Sequence, residues 1–121
     1  MKTMEAAEKR GISRYIMVSA YGADQRSKWS KEIKPYYVAK HFADRALFAS
    51  ELNYTIIRPG GLENKSGTGK VAVGTDLKPG SIAREDVARV IAASLLEEKT
   101  YRKAFDLIAG EQSVSDALSN L

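Results

Sequence analysis

Tyr36 and Lys40 stand four residues apart in Pro35-Tyr36-Tyr37-Val38-Ala39-Lys40, a stretch that reads as the start of a helix. Residues at that spacing stack on one helix face. A free tyrosine titrates near pH ~10, too high for acid–base work at neutrality. A fixed ammonium beside it favours the phenolate and draws the pKa down. The pair can then pass a proton to or from a carbonyl or alcohol oxygen. The spacing alone is not specific: with 6 Tyr and 11 Lys in 121 residues, chance supplies roughly half a match. Its meaning rests on what flanks it.

Upstream, Tyr15 to Val18 is a continuous apolar run that reads as a buried, parallel-type strand, and Ser19 closes it. In open α/β sheets, ligands bind beyond the carboxyl ends of strands, which is where Ser19 falls. The serine either serves a ligand or simply satisfies the strand end. Downstream, residues 53–62 form a second β-branched run closed by Pro59-Gly60-Gly61. Glycines at such a turn let a ligand approach the main chain closely.

The remaining elements must position these groups. Residues 3–10 read as the end of a helix capped by Gly11. Residues 20–34 form a loop in which Trp29 is either a lid over a pocket or an anchor for the loop itself. Residues 36–51 form a helix with Val38, Phe42, Ala46 and Ala49 as its core stripe, flanked by Ala39, Ala43 and Leu47, and Asp44 mostly elsewhere. His41 reads as a surface or packing residue. Gly67-Thr68-Gly69-Lys70 invites a phosphate-loop reading, but Asn64 and Val71 stand where that motif needs Gly and Ser/Thr, so a hairpin turn fits better. Residues 82–96 form a second helix burying Val87, Val90, Ile91, Ser94 and Leu95; residues 104–110 form a third strand. A short terminal helix starts at a capping box between Ser113 and Asp116. Strands alternating with helices imply a parallel sheet with helices on its faces. Right-handed crossovers place the strand ends side by side, so Ser19, Tyr36, Lys40 and the glycine turn can converge.

Composition limits the function classes. Hydrophobic residues at 44% and charged residues at 28% exclude a disordered chain. Without cysteine there is no disulfide, thiol nucleophile or cysteine metal site, and with one histidine a Ser-His-Asp triad or histidine metal cluster is not expected. No apolar run approaches the ~20 residues of a membrane span. The charged N-terminus lacks an apolar signal region, so the cytoplasm is the expected compartment. Residues 1–45 carry ten Lys/Arg and five Asp/Glu, net +5, against nine and ten, net −1, in residues 46–121. The basic charges are scattered and no nucleic-acid motif accompanies them, so neither nucleic acid nor membrane is expected as a partner.

Four stretches in this order, Val18-Ser19-Ala20-Tyr21-Gly22, Tyr36-Tyr37-Val38-Ala39-Lys40, Ile57-Arg58-Pro59-Gly60-Gly61-Leu62 and Ile82-Ala83-Arg84-Glu85-Asp86-Val87-Ala88, resemble the short-chain dehydrogenase/reductase superfamily. The resemblance is closer to its atypical NAD(P)H-binding branch, which includes NmrA-like and biliverdin/flavin-reductase-like members. It covers essentially all 121 residues. It implies an α/β fold, a partial Rossmann-type parallel sheet with helices packed on it, and a small-molecule carbonyl-like or flavin-like substrate. It makes Tyr36 the general acid/base, Lys40 its pKa-lowering partner and a ligand of the nicotinamide ribose, and Ser19 the hydrogen-bond donor to the reacting oxygen. Pro59, Gly60 and Gly61 would face the nicotinamide. The implied cofactor is NAD(P), with NADP somewhat favoured.

The family's glycine-rich nucleotide turn has no counterpart in this sequence. Residues 1–121 therefore read as the C-terminal part of one NAD(P)-binding domain, completed by an N-terminal half or by dimerisation. Its first strand would carry an unpaired apolar edge, and the chain alone is expected to be marginal or prone to aggregate. Two further readings are an NmrA-like sensor that binds the cofactor without turnover, and a fragment with no activity.

Overall fold

A computed structural model describes residues 2–23 and 34–121, except for the side chains of residues 2 and 34–36. Trp29 lies outside the described residues. The helical start is α1 (Lys2–Lys9), closed by Gly11 at φ +72°, a left-handed conformation that glycine adopts without strain. Then follow β1 (Arg14–Val18), α2 (Lys34–Phe48) and β2 (Asn53–Pro59). β2 is followed by β3 (Gly61–Glu63), β4 (Lys70–Gly74), β5 (Ser81–Ala83) and α3 (Arg84–Ser94). A 3₁₀ turn (Glu98–Thr100), β6 (Lys103–Ala109), β7 (Gln112–Ser113) and α4 (Val114–Ser119) complete the chain.

The main sheet has the order β1-β2-β6-β4-β7. The first three strands run parallel, with Val18 beside Ile57 and Ile57 beside Phe105. β4 runs antiparallel to both β6 and β7, so the sheet is parallel at β1, β2 and β6 and mixed beyond. β3 and β5 form a separate parallel pair, so Ile82 belongs to a strand and α3 begins two residues later than the pattern suggested. The capping box at the start of α4 forms as expected, with Ser113 Oγ accepting from the Asp116 amide at 3.2 Å.

β2 is covered on both faces. Ile56 belongs to a cluster with Met4, Leu47 and Leu52 under α1 and α2. Ile57, next in sequence and pointing to the opposite face, joins Phe105, Leu107 and Val90 under α3 and α4.

The helix faces differ from the expected stripes. On α2 the buried residues are Ala43, Asp44 and Leu47, while Phe42 is 53% exposed. The charge on Asp44 hid the true face; its partner, Arg58, comes from β2. On α3, Val87, Val90 and Ser94 are buried as expected and Asp86 joins them, but Ile91 is half-buried and Leu95 is exposed beyond the helix end. β1, expected to be fully buried, is half-buried along its whole length. It is an outer strand, paired with β2 alone among the described residues.

Among the described residues no strand pairs with that edge, and an outer strand of this kind templates further pairing. In sedimentation velocity the chain should show a mass rising above 13.3 kDa with concentration. A constant 13.3 kDa species with a cooperative melt would contradict this.

Candidate active site

A cleft of about 680 Å³ opens where β1 and β2 end, and Ser19, Lys40, Pro59, Gly60 and Gly61 all line it. Of the residues singled out from the sequence, these five are brought together. Tyr36 lies in the first turn of α2, four residues before Lys40, and its side chain lies outside the described residues. Ser19 is 3% exposed. Its amide extends the ladder to Ile57 O at 2.7 Å, which fixes the residue at the strand end. Its Oγ is buried without a partner at hydrogen-bonding geometry. The Asp44 carboxyl, which this hydroxyl helps to stabilise, is an acceptor close by. Lys40 Nζ donates to Val18 O at 3.1 Å, which pins the ammonium over the same strand end.

Behind Ser19, Asp44 of α2 meets Arg58 of β2. Arg58 Nε donates to Asp44 Oδ2 at 3.1 Å and Nη2 lies 3.0 Å from the same oxygen, with both side chains buried. Burial pushes the Asp44 carboxyl above its ordinary range, opposed by the Arg58 charge, the nearby Ser19 hydroxyl and the charge of His41. His41 itself packs inward, with Nδ1 2.9 Å from Ala23 O.

The floor of the cleft is main chain committed to its neighbours. Gly60 N donates to Leu107 O, Gly61 N to Gly80 O, and Pro59 O accepts from the Tyr21 amide. A side chain at Gly60 would bring its Cβ to 2.3 Å from Gly80 O, so that glycine is required by packing. What the turn offers a ligand is a smooth surface for contact rather than free amides.

Sequence reasoning missed Tyr21, Tyr37 and Arg84, which also line the cleft. Tyr21 OH donates to Leu77 O at 2.7 Å. Arg84 stands in the Ile82–Ala88 motif, which signalled its region but not its direction. The acids that follow it turn away from the cleft. Asp86 accepts from the Thr68 amide at 3.0 Å, the Gly69 amide at 2.9 Å and Arg89 Nη1 at 2.6 Å. The glycine turn that resembles a phosphate loop therefore cradles an anion of this chain. Burial alone would raise the Asp86 carboxyl, but the Thr68 and Gly69 amides and Arg89 together hold it below its ordinary value. Among the described residues, no cluster of His, Asp and Glu could hold a metal ion, and no helix is long and apolar enough to cross a membrane.

The family model described as NAD(P)H-binding matches residues 1–98. The chain belongs to that NAD(P)H-binding family. It is 53% identical over 120 residues to the uncharacterized sugar epimerase YhfK of Bacillus subtilis, covering 99% of this chain and 56% of that protein. A solved structure named for a proposed NAD-dependent epimerase/dehydratase of Bacillus halodurans superposes with a TM-score of 0.94 at 41% identity, covering 99% of this chain and 57% of that one. The oxidoreductase ylbE of Lactococcus lactis superposes with a TM-score of 0.92 at 33% identity, covering 99% and 57%. The chain spans about half the length of the curated relatives it matches. As in the family, the fold is a Rossmann-like α/β arrangement.

Asp86 carries the sharpest pH prediction. A carboxylate held below its ordinary value stabilises the fold above about pH 4 and loses that contribution as pH falls through the folded value. Asp44, raised by burial, has the opposite sign: its contribution favours the fold at low pH and is given up as it ionises. The difference between the wild-type chain and Asp86→Asn isolates the first effect. Their urea midpoints should converge as pH falls below about 4. Parallel midpoints across that range would refute the role of Asp86.

Proposed function

We propose that this chain carries the proton-transfer part of an NAD(P)H-dependent oxidoreductase of the short-chain type, acting on a carbonyl-like or flavin-like small molecule. The observation that carries the reading is the convergence in one cleft of Ser19, buried at the end of β1, with Lys40 and the Pro59–Gly61 floor. A hydroxyl at a strand end beside an anchored ammonium is a donor set suited to a reacting oxygen. These residues fit a nicotinamide ring and its ribose.

The nicotinamide dinucleotide, when bound, supplies the hydride. The chain's own residues handle the oxygen. Ser19 donates a hydrogen bond to it, holding the carbonyl at the strand end. Tyr36 gives it a proton, and Lys40, one helical turn away, favours the resulting phenolate and binds the ribose. Pro59, Gly60 and Gly61 exclude water beneath the ring. The cofactor is NAD(P), NADP by preference, and the remaining nucleotide contacts come from a nucleotide-binding half or a second copy joined at β1. The family membership supports the cofactor, and the L. lactis structure's name supports the reaction type. The epimerase names of the other two relatives fit the same groups working without net turnover of the cofactor.

Sustained NADPH oxidation at 340 nm, with aldehyde, quinone or flavin acceptors, distinguishes the reductase from both an epimerase and a cofactor-binding sensor. The assay uses this chain joined to a nucleotide-binding half. Tyr36→Phe should lower turnover by about 10²–10⁴-fold, the usual contribution of a positioned general acid. Unchanged turnover in that variant would remove Tyr36 from the mechanism.

A further inference from the structure

We infer that Arg84 recognises a carboxylate of the substrate, so that the cleft selects acidic carbonyl compounds over neutral ones. The inference rests on the reductase reading and deepens it. Arg84 and Lys40 are the charged residues lining the cleft, and no Asp or Glu lines it among the described residues. The two cations come from different walls: Lys40 from α2, and Arg84 from the first position of α3, beside the Pro79–Gly80 turn.

Three features suit Arg84 to a ligand rather than to the fold. First, its Nε donates to Asn64 Oδ1 at 2.8 Å, which orients the guanidinium plane without neutralising it. Second, no carboxylate pairs with it among the described residues. The neighbouring acids are engaged elsewhere, Glu85 with the Gly67 amide and Arg89, and Asp86 with the Thr68 and Gly69 amides and Arg89. Third, the side chain is exposed at the cleft rather than packed in the core. The terminal fork of an oriented guanidinium matches the two oxygens of a carboxylate. Lys40 is committed to the strand end, the Tyr36 phenolate and the ribose, so the two cations divide the work: one serves the chemistry and the other sets the substrate class.

The test is ligand-observed NMR on this chain joined to a nucleotide-binding half, at low micromolar concentration, with 4-carboxybenzaldehyde, its neutral methyl ester, and nicotinamide mononucleotide as probes. The wild-type chain should bind the acid roughly tenfold more tightly than the ester, the size of one charge-assisted hydrogen bond. Arg84→Gln should abolish that preference, Arg84→Lys should retain part of it, and Asn64→Ala should reduce it. Binding of the mononucleotide should be unchanged in all three. Mononucleotide binding without a preference for the acid, or a preference that survives Arg84→Gln, would overturn the inference while sparing the reductase reading. An equal loss of mononucleotide and acid binding in Arg84→Gln would also overturn it, by assigning Arg84 to a cofactor phosphate. If the joined wild-type protein melts cooperatively and binds none of the probes, the nicotinamide site itself is refuted and the inference falls with it.

Discussion

The buried pair of Asp44 and Arg58 fixes the geometry on which the rest depends. One partner stands on the helix that carries Tyr36 and Lys40, the other on the strand that runs into Pro59 and Gly60. Removing two charges from water costs several kcal/mol per ion, repaid only by close geometry, and losing one partner of such a pair typically costs about 3–5 kcal/mol. The pair therefore tolerates little relative movement between α2 and β2. Because Lys40 lies one turn before Asp44 on the same helix face, that restraint passes to the ammonium over Val18 O.

This pair also explains where the sequence was readable and where it was not. Strand identity was plain, because β-branched and aromatic runs at residues 15–18, 53–59 and 104–109 leave few other options. Gly11 and the Ser113–Asp116 cap were equally legible, since a local backbone requirement selects the residue type. The face of α2 was not legible. Periodicity assigns a charged residue to solvent, and Asp44 is inside only because Arg58, fourteen residues on, meets it there. The pairing of β4 with β6 and the early strand at Ile82 escaped for a similar reason, since both depend on pairings across the fold.

The site shows the same division. Ser19, Lys40 and the Pro59–Gly61 turn, expected together from their places at strand and helix ends, line one cleft. Arg84 was not singled out, because its meaning comes from the turning away of Glu85 and Asp86, which only the fold reveals. The Gly67-Thr68-Gly69 amides illustrate the converse. A backbone concavity suited to anions can be satisfied from within, and here it is a latch that holds the loop to α3.

β1 is at once an outer strand of the sheet and the strand whose end carries Ser19. Whatever pairs along its open edge comes to rest next to the cleft. Were a strand to add there and a ligand to span both, the two events would be thermodynamically linked: the ligand would favour the assembly, and the assembly would raise affinity for the ligand by the same factor. In such a molecule the protein concentration becomes a variable of ligand affinity, so a binding curve measured at a single concentration describes the assembly as much as the site.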